Sequence, residues 1–311
     1  SGIHFNPSPM ISSVHIIGGR ALGGAELFYV RLINALKTQQ QRVLSINIQG
    51  SQVSTRLQAD VAQIHVPMRG IWDWMSRRRI GSILREHQPS IIQTYMGRAT
   101  RLTHLDPGRR PIHIARLGGY YDIKGYRHAH AWIGNTKGIC DYLINNGLPV
   151  ARIAHIGNFV DLPAASSPDL LADWRRRLHI PEEALILVAV GRLHPVKGFE
   201  DLLAALSTIG STLYHRPLYL VIVGDGPLNI RLRNYADQIG VGERVCWVGW
   251  QLDPHPYYEL ADLLICPSRH EPLGNVILEA WAHCRTVLST RTAGALELID
   301  NGEDAWLVPP Q

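Results

Sequence analysis

A guanidinium and an ammonium stand five positions apart in Gly191-Arg192-Leu193-His194-Pro195-Val196-Lys197-Gly198, a glycine-bounded string between an apolar run and an amphipathic stretch. Arg grips phosphate oxygens in a planar fork, Lys acts as a mobile point charge, and a helix start adds backbone donors, so the string suits a diphosphate. Alone, it reads equally well as a solvated surface turn. Two further strings accompany it. Gly224-Asp225-Gly226-Pro227 is a tight turn whose small residues let a ligand approach the main chain. Pro267-Ser268-Arg269-His270-Glu271-Pro272-Leu273-Gly274-Asn275 precedes a helical stretch carrying Glu279-Ala280. Glu271 lies before that helix and Glu279 two turns inside it, so one carboxylate can meet a sugar while the other reaches a ribose. Between them, the amides near Gly274, Asn275 and Val276 face phosphate. The apolar neighbours Ile277, Leu278, Ala280 and Trp281 argue against a merely solvent-facing Glu279.

The elements that must position these strings alternate. Short β-branched runs separated by amphipathic stretches predict α/β architecture with parallel sheets. The strands expected in the first half are Val14–Ile17, Val43–Ile48, Val61–Val66, Ile91–Tyr95, Ile112–Arg116, Ala131–Ile133 and Arg152–Ile156. Those of the second half are Leu185–Val190, Leu218–Val223, Val245–Val248, Leu263–Cys266, Thr286–Leu288 and Trp306–Val308. Ala25, Phe28, Leu32 and Leu36, with Tyr29 and Ala35 alongside, predict one helix over Ala25–Leu36. The boundaries are a domain over 10–161, a Pro- and Ser-bearing linker over 162–183 with a short helix around Trp174, and a domain over 184–311. Two open parallel sheets bind ligands at the carboxyl ends of their strands, so a cleft between doubly wound domains is the expected site.

Composition fits. A chain of 311 residues, 46% hydrophobic and 18% charged, is long enough for two globular domains and is not disordered. The surplus of 31 basic over 26 acidic side chains, +5, suits anionic substrates and is too diffuse for nucleic acid. Cys140, Cys246, Cys266 and Cys284 form no C-x-x-C pair and are expected buried and reduced. The longest apolar run, Ala184–Val190, is seven residues, short of the ~20 that cross a bilayer. Ser1–Pro9 has no basic n-region or apolar h-region, so a cytoplasmic protein is expected.

The ordered strings G-R-L-x-x-x-K-G, V-G-D-G-P and P-S-x-x-E-P-x-G-x-x-x-x-E-A resemble the second domain of the family 4 retaining glycosyltransferases of GT-B fold, a group that includes lipopolysaccharide-core and mannosyl transferases. The resemblance runs from about Met10 to Gln311, and Thr290–Glu297 and Asn301-Gly302 follow the family pattern too. It implies two Rossmann-like domains facing a cleft. It implies that Arg192 and Lys197 bind the diphosphate of a nucleotide sugar, that Glu271 lies by the donor-sugar hydroxyls and that Glu279 binds the ribose. Gly191, Gly224, Asp225, Gly226, Pro227, Leu273, Gly274, Asn275 and Val276 complete the expected donor-binding set. In the first domain, Gly18-Gly19-Arg20-Ala21-Leu22-Gly23-Gly24 opens a helix without matching G-x-G-x-x-G, so a dinucleotide cofactor is disfavoured. In the family this loop faces the diphosphate and the acceptor, which places Gly18, Gly19, Gly23 and Gly24 in the site. Two full GT-B domains need more chain, so the resemblance also implies a C-terminally shortened second domain.

One departure concerns the sugar. Where many family members carry His-Gly after the fifth strand, this chain has Arg116-Leu117-Gly118-Gly119-Tyr120-Tyr121-Asp122, with Gly118 in the histidine's place. Arg116, Gly118, Gly119, Tyr120, Asp122, Lys124 and Asn135 are the acceptor-side candidates. The stretches Gly134–Lys137 and Gly157–Asp161 border the expected cleft. No Asp-x-Asp occurs, so no metal and no cofactor are expected, and cationic side chains with helix-end amides must neutralise the leaving diphosphate. No isolated carboxylate stands as a nucleophile on the sugar face. The resemblance implies retention by same-face departure and attack, moving a hexose-type sugar, UDP-linked in preference, to a glycan or lipid-linked acceptor of polysaccharide biosynthesis.

Ile71-Trp72-Asp73-Trp74-Met75-Ser76-Arg77-Arg78-Arg79 through Arg85 mixes aromatics with a basic cluster, a pattern that can lie in an anionic membrane interface. The plainer reading is a helix packing Ile80, Ile83 and Leu84 on its sheet with its arginines in water. Rival functions are an epimerase-like GT-B enzyme acting on the nucleotide sugar itself, a phosphorylase, whose pyridoxal lysine would have to be Lys197, the only Lys of the second domain, and a catalytically silent sugar-nucleotide-binding module.

Overall fold

The computed structural model describes residues 12–105 and 111–310. Met10 and Gln311, the ends of the two expected domains, lie outside the described residues. The chain divides into two compact units after Asn158.

In the first unit, seven strands form one parallel sheet: β1 (Ser12–Ile17), β2 (Arg42–Asn47), β3 (Ala62–His65), β4 (Ile91–Tyr95), β5 (Ile112–Leu117), β6 (Ala131–Gly134) and β7 (Ile153–His155). Their order is β3-β2-β1-β4-β5-β6-β7, so the winding reverses between β1 and β4. The helices are α1 (Gly24–Thr38), α2 (Trp74–His87), α3 (Met96–Leu102) and α4 (Lys137–Asn145). Val14, Ile16 and Ile46 pack with Ile80, Ile83 and Leu84 of α2, while Ile17 and Val43 pack with Phe28, Tyr29 and Ile33 of α1. The buried stripe of α1 centres on Tyr29 and Ile33; Leu32 and Leu36 sit half-buried at its margin and Ala35 is exposed. The expected stripe is thus rotated toward its β-branched side.

The second unit repeats the grammar. Its strands are β8 (Leu185–Val190), β9 (Thr212–Leu213), β10 (Arg216–Val223), β11 (Val245–Gly249), β12 (Leu263–Cys266), β13 (Val287–Thr290) and β14 (Trp306–Val308). Six run parallel in the order β11-β10-β8-β12-β13-β14, and β9 pairs antiparallel with β10. The helices are α5 (Pro168–Arg177), α6 (Phe199–Thr208), α7 (Asn229–Gln238), α8 (His255–Leu260), α9 (Asn275–Ala282) and α10 (Ala293–Leu298). β8, β10 and β12 are buried on both faces, which is why they read as unbroken apolar runs. One face packs on Leu202, Leu203, Leu206 and Leu232, the other on Tyr257, Tyr258, Ile277 and Ala280. α5, in the segment expected as a linker, lays Leu171 and Trp174 against this second core, with Trp174 edge-on to Tyr257 at 5.3 Å.

All four cysteines are free; Cys140 and Cys266 are buried and Cys246 is half-buried. Cys284 is exposed, contrary to expectation, because it occupies a left-handed turn (φ 54°) just past α9, where the chain reverses at the surface.

Candidate active site

In an open α/β sheet the crevice at the carboxyl ends of the strands lies where the winding reverses. In the second unit that point is between β8 and β12. The loop after β8 carries Arg192 and Lys197, and the loop after β12 carries Glu271. The structure brings Lys197 and Glu271 into contact as an ion pair between Nζ and Oε2, both side chains largely buried. Arg192 is exposed beside them in sequence, with no ion pair among the described residues.

Main-chain bonds staple the two loops. The Val196 carbonyl accepts from the amides of Arg269 (2.9 Å) and His270 (3.2 Å). The Arg269 guanidinium forks onto both carboxylate oxygens of Asp201 on α6, at 2.7 and 2.5 Å. Gly198 has φ 67°, and a Cβ there would collide with the Pro267 carbonyl, so only glycine permits this approach. A third loop backs the second: the Gly294 amide donates to the Glu271 carbonyl (2.9 Å), and Thr290 Oγ1 donates to the Cys266 carbonyl (3.3 Å) and to that of Ser268.

The turn after β10 lies against the same place. The Gly191 amide donates to Val223 (3.0 Å) and the Leu193 amide to Asp225 (3.0 Å). The Asp225 carboxylate accepts from Asn229 Nδ2 (2.8 Å) and the Gly226 amide (2.7 Å), contacts that hold it below the usual carboxylate range. Gly226 packs on the Leu193 main chain, and Pro227 is exposed. Gly191, Gly224, Gly226 and the Arg192–Lys197 loop therefore form one cluster.

α9 starts at Asn275 after Gly274 (φ 81°), with no side-chain cap. Leu273 is buried and Val276 half-buried. Glu279 sits on the second turn and accepts a hydrogen bond from Tyr258 on α8, 2.6 Å from hydroxyl to Oε2. Tyr258 was not singled out from the sequence; it lies on another helix, in a stretch that carries no motif.

In the first unit the corresponding reversal lies between β1 and β4. Arg98 of α3 donates from Nη1 to the Gly18 carbonyl (2.9 Å). Gly23 donates its amide to Glu26 (3.1 Å), whose carboxylate lies against Gly19; burial raises its pKa. These contacts order the loop holding Gly18, Gly19, Gly23 and Gly24. After β5, Gly118 lies beside the Asn135 side chain and Gly119 beside the Tyr121 ring. Asn135 is buried and its Oδ1 has no hydrogen-bond partner among the described residues. Tyr120 is exposed with its ring edge-on to Tyr142, Asp122 accepts from the Lys124 amide (3.0 Å), and Lys124 is exposed.

Arg116 is buried, in contrast to these. Its guanidinium lies over the Phe28 ring at 3.7 Å and donates to the Gly157 carbonyl (3.3 Å) and Asn158 Oδ1 (2.9 Å). Burial lowers its pKa to about 10. These contacts tie the end of the unit to β5. Among the described residues, no group of three or more His, Cys, Asp or Glu could hold a metal ion, and no helix is long and apolar enough to cross a membrane.

The family model for glycosyl transferases group 1 matches residues 172–311. The lipopolysaccharide core biosynthesis glycosyltransferase LpsE of Rhizobium meliloti is 30% identical over 289 residues, covering 92% of this chain and 81% of that protein. LpsD of the same organism is 28% identical over 289 residues, covering 92% and 80%. Among solved structures, Anabaena HepE in complex with UDP-glucose superposes with a TM-score of 0.81 at 21% identity, over 96% of this chain and 86% of that one. A glycosyltransferase from Rickettsia africae gives 0.81 at 19% identity, over 98% and 85%. With the family model matched over 172–311, a relative 30% identical along most of both chains, and two parallel-sheet α/β units in the GT-B fold, the chain belongs to the group 1 glycosyltransferases.

Proposed function

We propose that this glycosyltransferase moves a hexose-type sugar from a nucleoside diphosphate sugar, UDP-linked in preference, to a lipid-linked or glycan acceptor of the lipopolysaccharide or exopolysaccharide kind, with retention of configuration and without a metal. The observation that carries the reading is the Lys197–Glu271 pair, with Arg192 on the same loop, at the winding reversal of the second sheet. The acceptor class follows the named role of LpsE, and the base follows the UDP-glucose held by HepE.

In this reading the bond between the anomeric carbon and the β-phosphate oxygen breaks while the acceptor hydroxyl attacks from the same face. The acceptor's proton passes to the departing phosphate oxygen, so the products are a glycoside and a nucleoside diphosphate. Arg192 and Lys197 stabilise the charge that develops on that oxygen, with the first-turn amides of α9 alongside. Lys197 exchanges Glu271 for the diphosphate, and Glu271 accepts hydrogen bonds from the sugar hydroxyls. Glu279 holds the ribose. Gly191, Gly224, Gly226 and Gly274 allow the ligand close to the main chain. Tyr120, Asp122 and Lys124, exposed after β5, are the side chains offered to the acceptor, with Gly118, Gly119 and Asn135 as further acceptor-side candidates.

A membrane contact belongs to the same proposal. α2 buries Ile80, Ile83 and Leu84 as the plainer reading expects, yet Trp72 is 88% exposed and Trp74 and Met75 are 64% exposed, next to exposed Arg77, Arg78 and Arg79. Aromatic side chains beside a basic cluster suit an anionic interface, which supports a reading in which the enzyme works at the inner face of the cytoplasmic membrane.

The test is release of nucleoside diphosphate from UDP-, GDP- and ADP-sugars, with and without candidate acceptors. Turnover that requires an acceptor and is abolished in Arg192→Ala and in Glu271→Ala supports the assignment; unchanged turnover in both refutes it. Binding without release identifies a silent module, and acceptor-free conversion of the sugar identifies an epimerase.

A further inference from the structure

We infer that Tyr258 is a positioning residue that sets Glu279 for the nucleoside ribose and thereby gives the donor site its preference for ribo- over deoxyribonucleotides. The inference rests on the proposed role of Glu279 and names the machinery behind it.

Glu279 is gripped twice. At its side chain, the hydroxyl of Tyr258 donates to Oε2 at 2.6 Å, a charge-assisted contact from a residue 1% exposed. At its main chain, His283, which closes α9, donates from Nδ1 to the Glu279 carbonyl at 2.7 Å. A carbonyl can only accept, so Nδ1 carries the proton, and Nε2 of the neutral ring accepts from Nδ1 of His255 at 2.7 Å. Burial, the largest influence on His283, lowers its pKa and so favours that neutral form. The two grips are joined, because the His283 ring stacks on the Tyr258 ring, 5.0 Å between centroids and 19° between planes.

The backing is rigid. Tyr257, Tyr258 and Leu260 of α8 are all in the core, and Trp174 packs on Tyr257. Glu259 of the same helix accepts from the Ser166 amide at 2.8 Å. A glutamate on a helix surface samples many rotamers, whereas this one has its carboxylate oriented before ligand arrives. An ionised carboxylate has about four acceptor sites, so one phenolic donor does not exhaust it. What the Tyr258 hydroxyl does is fix the plane in which the remaining capacity meets the ribose 2′-hydroxyl. A site built to hydrogen-bond a hydroxyl discriminates strongly against the analogue lacking it.

The experiment measures dissociation constants by calorimetry for UDP, GDP and ADP and for their 2′-deoxy counterparts, on the full chain. The tightest ribonucleotide should lose affinity about tenfold in Tyr258→Phe, which is ~1.4 kcal/mol, while its deoxy form changes less than twofold. The ribo-to-deoxy ratio therefore collapses. Phe preserves the ring, its burial and the stack on His283. His283→Phe, which keeps a stacked ring and deletes the Nδ1 donor, should reduce the ratio in part, and provides the test should Tyr258→Phe fail to fold. Tyr257→Phe, a neighbour in the same core, should leave the ratio unchanged. Equal losses for ribo and deoxy forms would make Tyr258 structural only, and a wild-type ratio in both Tyr258→Phe and His283→Phe would also overturn the inference. Wild-type protein that binds none of the six, or binds both forms alike, overturns the donor reading itself.

Discussion

Replacing Gly198 by Ala tests whether the close approach of the loops after β8 and β12 depends on the absence of a single methyl. Gly198 has φ 67°, and its Cβ would meet the Pro267 carbonyl. The second unit offers a matched control in Gly302, with φ 89° and nothing within 4 Å of the added carbon. At Gly302 the left-handed conformation costs about 1–2 kcal/mol for a non-glycine residue. The entropy removed from the unfolded chain offsets about 0.4–1 kcal/mol of that, leaving a net loss of about 0–1.6 kcal/mol. At Gly198 the same terms apply, and in addition a backbone carbonyl must move, an overpacking cost of about 1–3 kcal/mol. The two variants should therefore differ by about 1–3 kcal/mol, or roughly 2–12 °C in the calorimetric Tm at about 2–4 °C per kcal/mol. Gly198→Ala should also weaken nucleotide binding, since moving Pro267 pulls Glu271 from Lys197, whereas Gly302→Ala should bind as wild type. Equal Tm values for the two variants would refute the claim that the loops are in contact there.

Acid should weaken the first unit. Burial lowers the pKa of His15 to about 3, and burial with the neighbouring His128, His130 and His104 lowers that of His113 to about 3. The unfolded chain then binds more protons, so stability is fully present above pH 6.5 and falls as pH drops toward 3; from pH 7 to 5 each of these two should cost about 2 kcal/mol. A urea midpoint that is flat over this range would contradict their burial as neutral rings. Arg116→Lys should destabilise the first unit by about 1–3 kcal/mol, because an ammonium cannot both cover the Phe28 face and reach Gly157 and Asn158; chemical denaturation checks this. Wild-type protein should sediment with phosphatidylglycerol vesicles at low salt, and the double variant Trp72→Ser/Trp74→Ser should remain in the supernatant; no sedimentation of wild type removes the membrane contact.

Much of the fold is legible in the chain because both sheets are parallel and sandwiched. Leu185–Val190 and Leu263–Cys266 are strands at the expected bounds, since burial on both faces makes an apolar run, ended by Gly191 and Pro267; Ile91–Tyr95 and the exposed edge strand Trp306–Val308 also keep their expected bounds. β9 went unread: two exposed residues in a hairpin carry no periodicity. α2 starts at Trp74 because the Asp73 carboxylate caps it, accepting from the Ser76 amide at 3.0 Å. Lys197 and Glu271 were each found from local strings, but their pairing across 74 positions needs the β8–β12 adjacency. Tyr258 and His283 carry no local signal at all, since neither belongs to a motif and what they share, a contact with Glu279, exists only once α8 and α9 pack together.

The shared acceptor at Val196 has a further bearing. One carbonyl receives two amides from the opposite loop, so the span between Arg192 and Lys197, the cations proposed for the diphosphate, and Glu271, the carboxylate proposed for the sugar, is set by main chain rather than by side-chain rotamers. Such a span works as a fixed gauge. Exchanging side chains along either loop can alter which hydroxyls are read while leaving the distance between sugar and diphosphate untouched, so a scaffold of this kind can change its donor sugar by point substitution without rebuilding the grip on the leaving group.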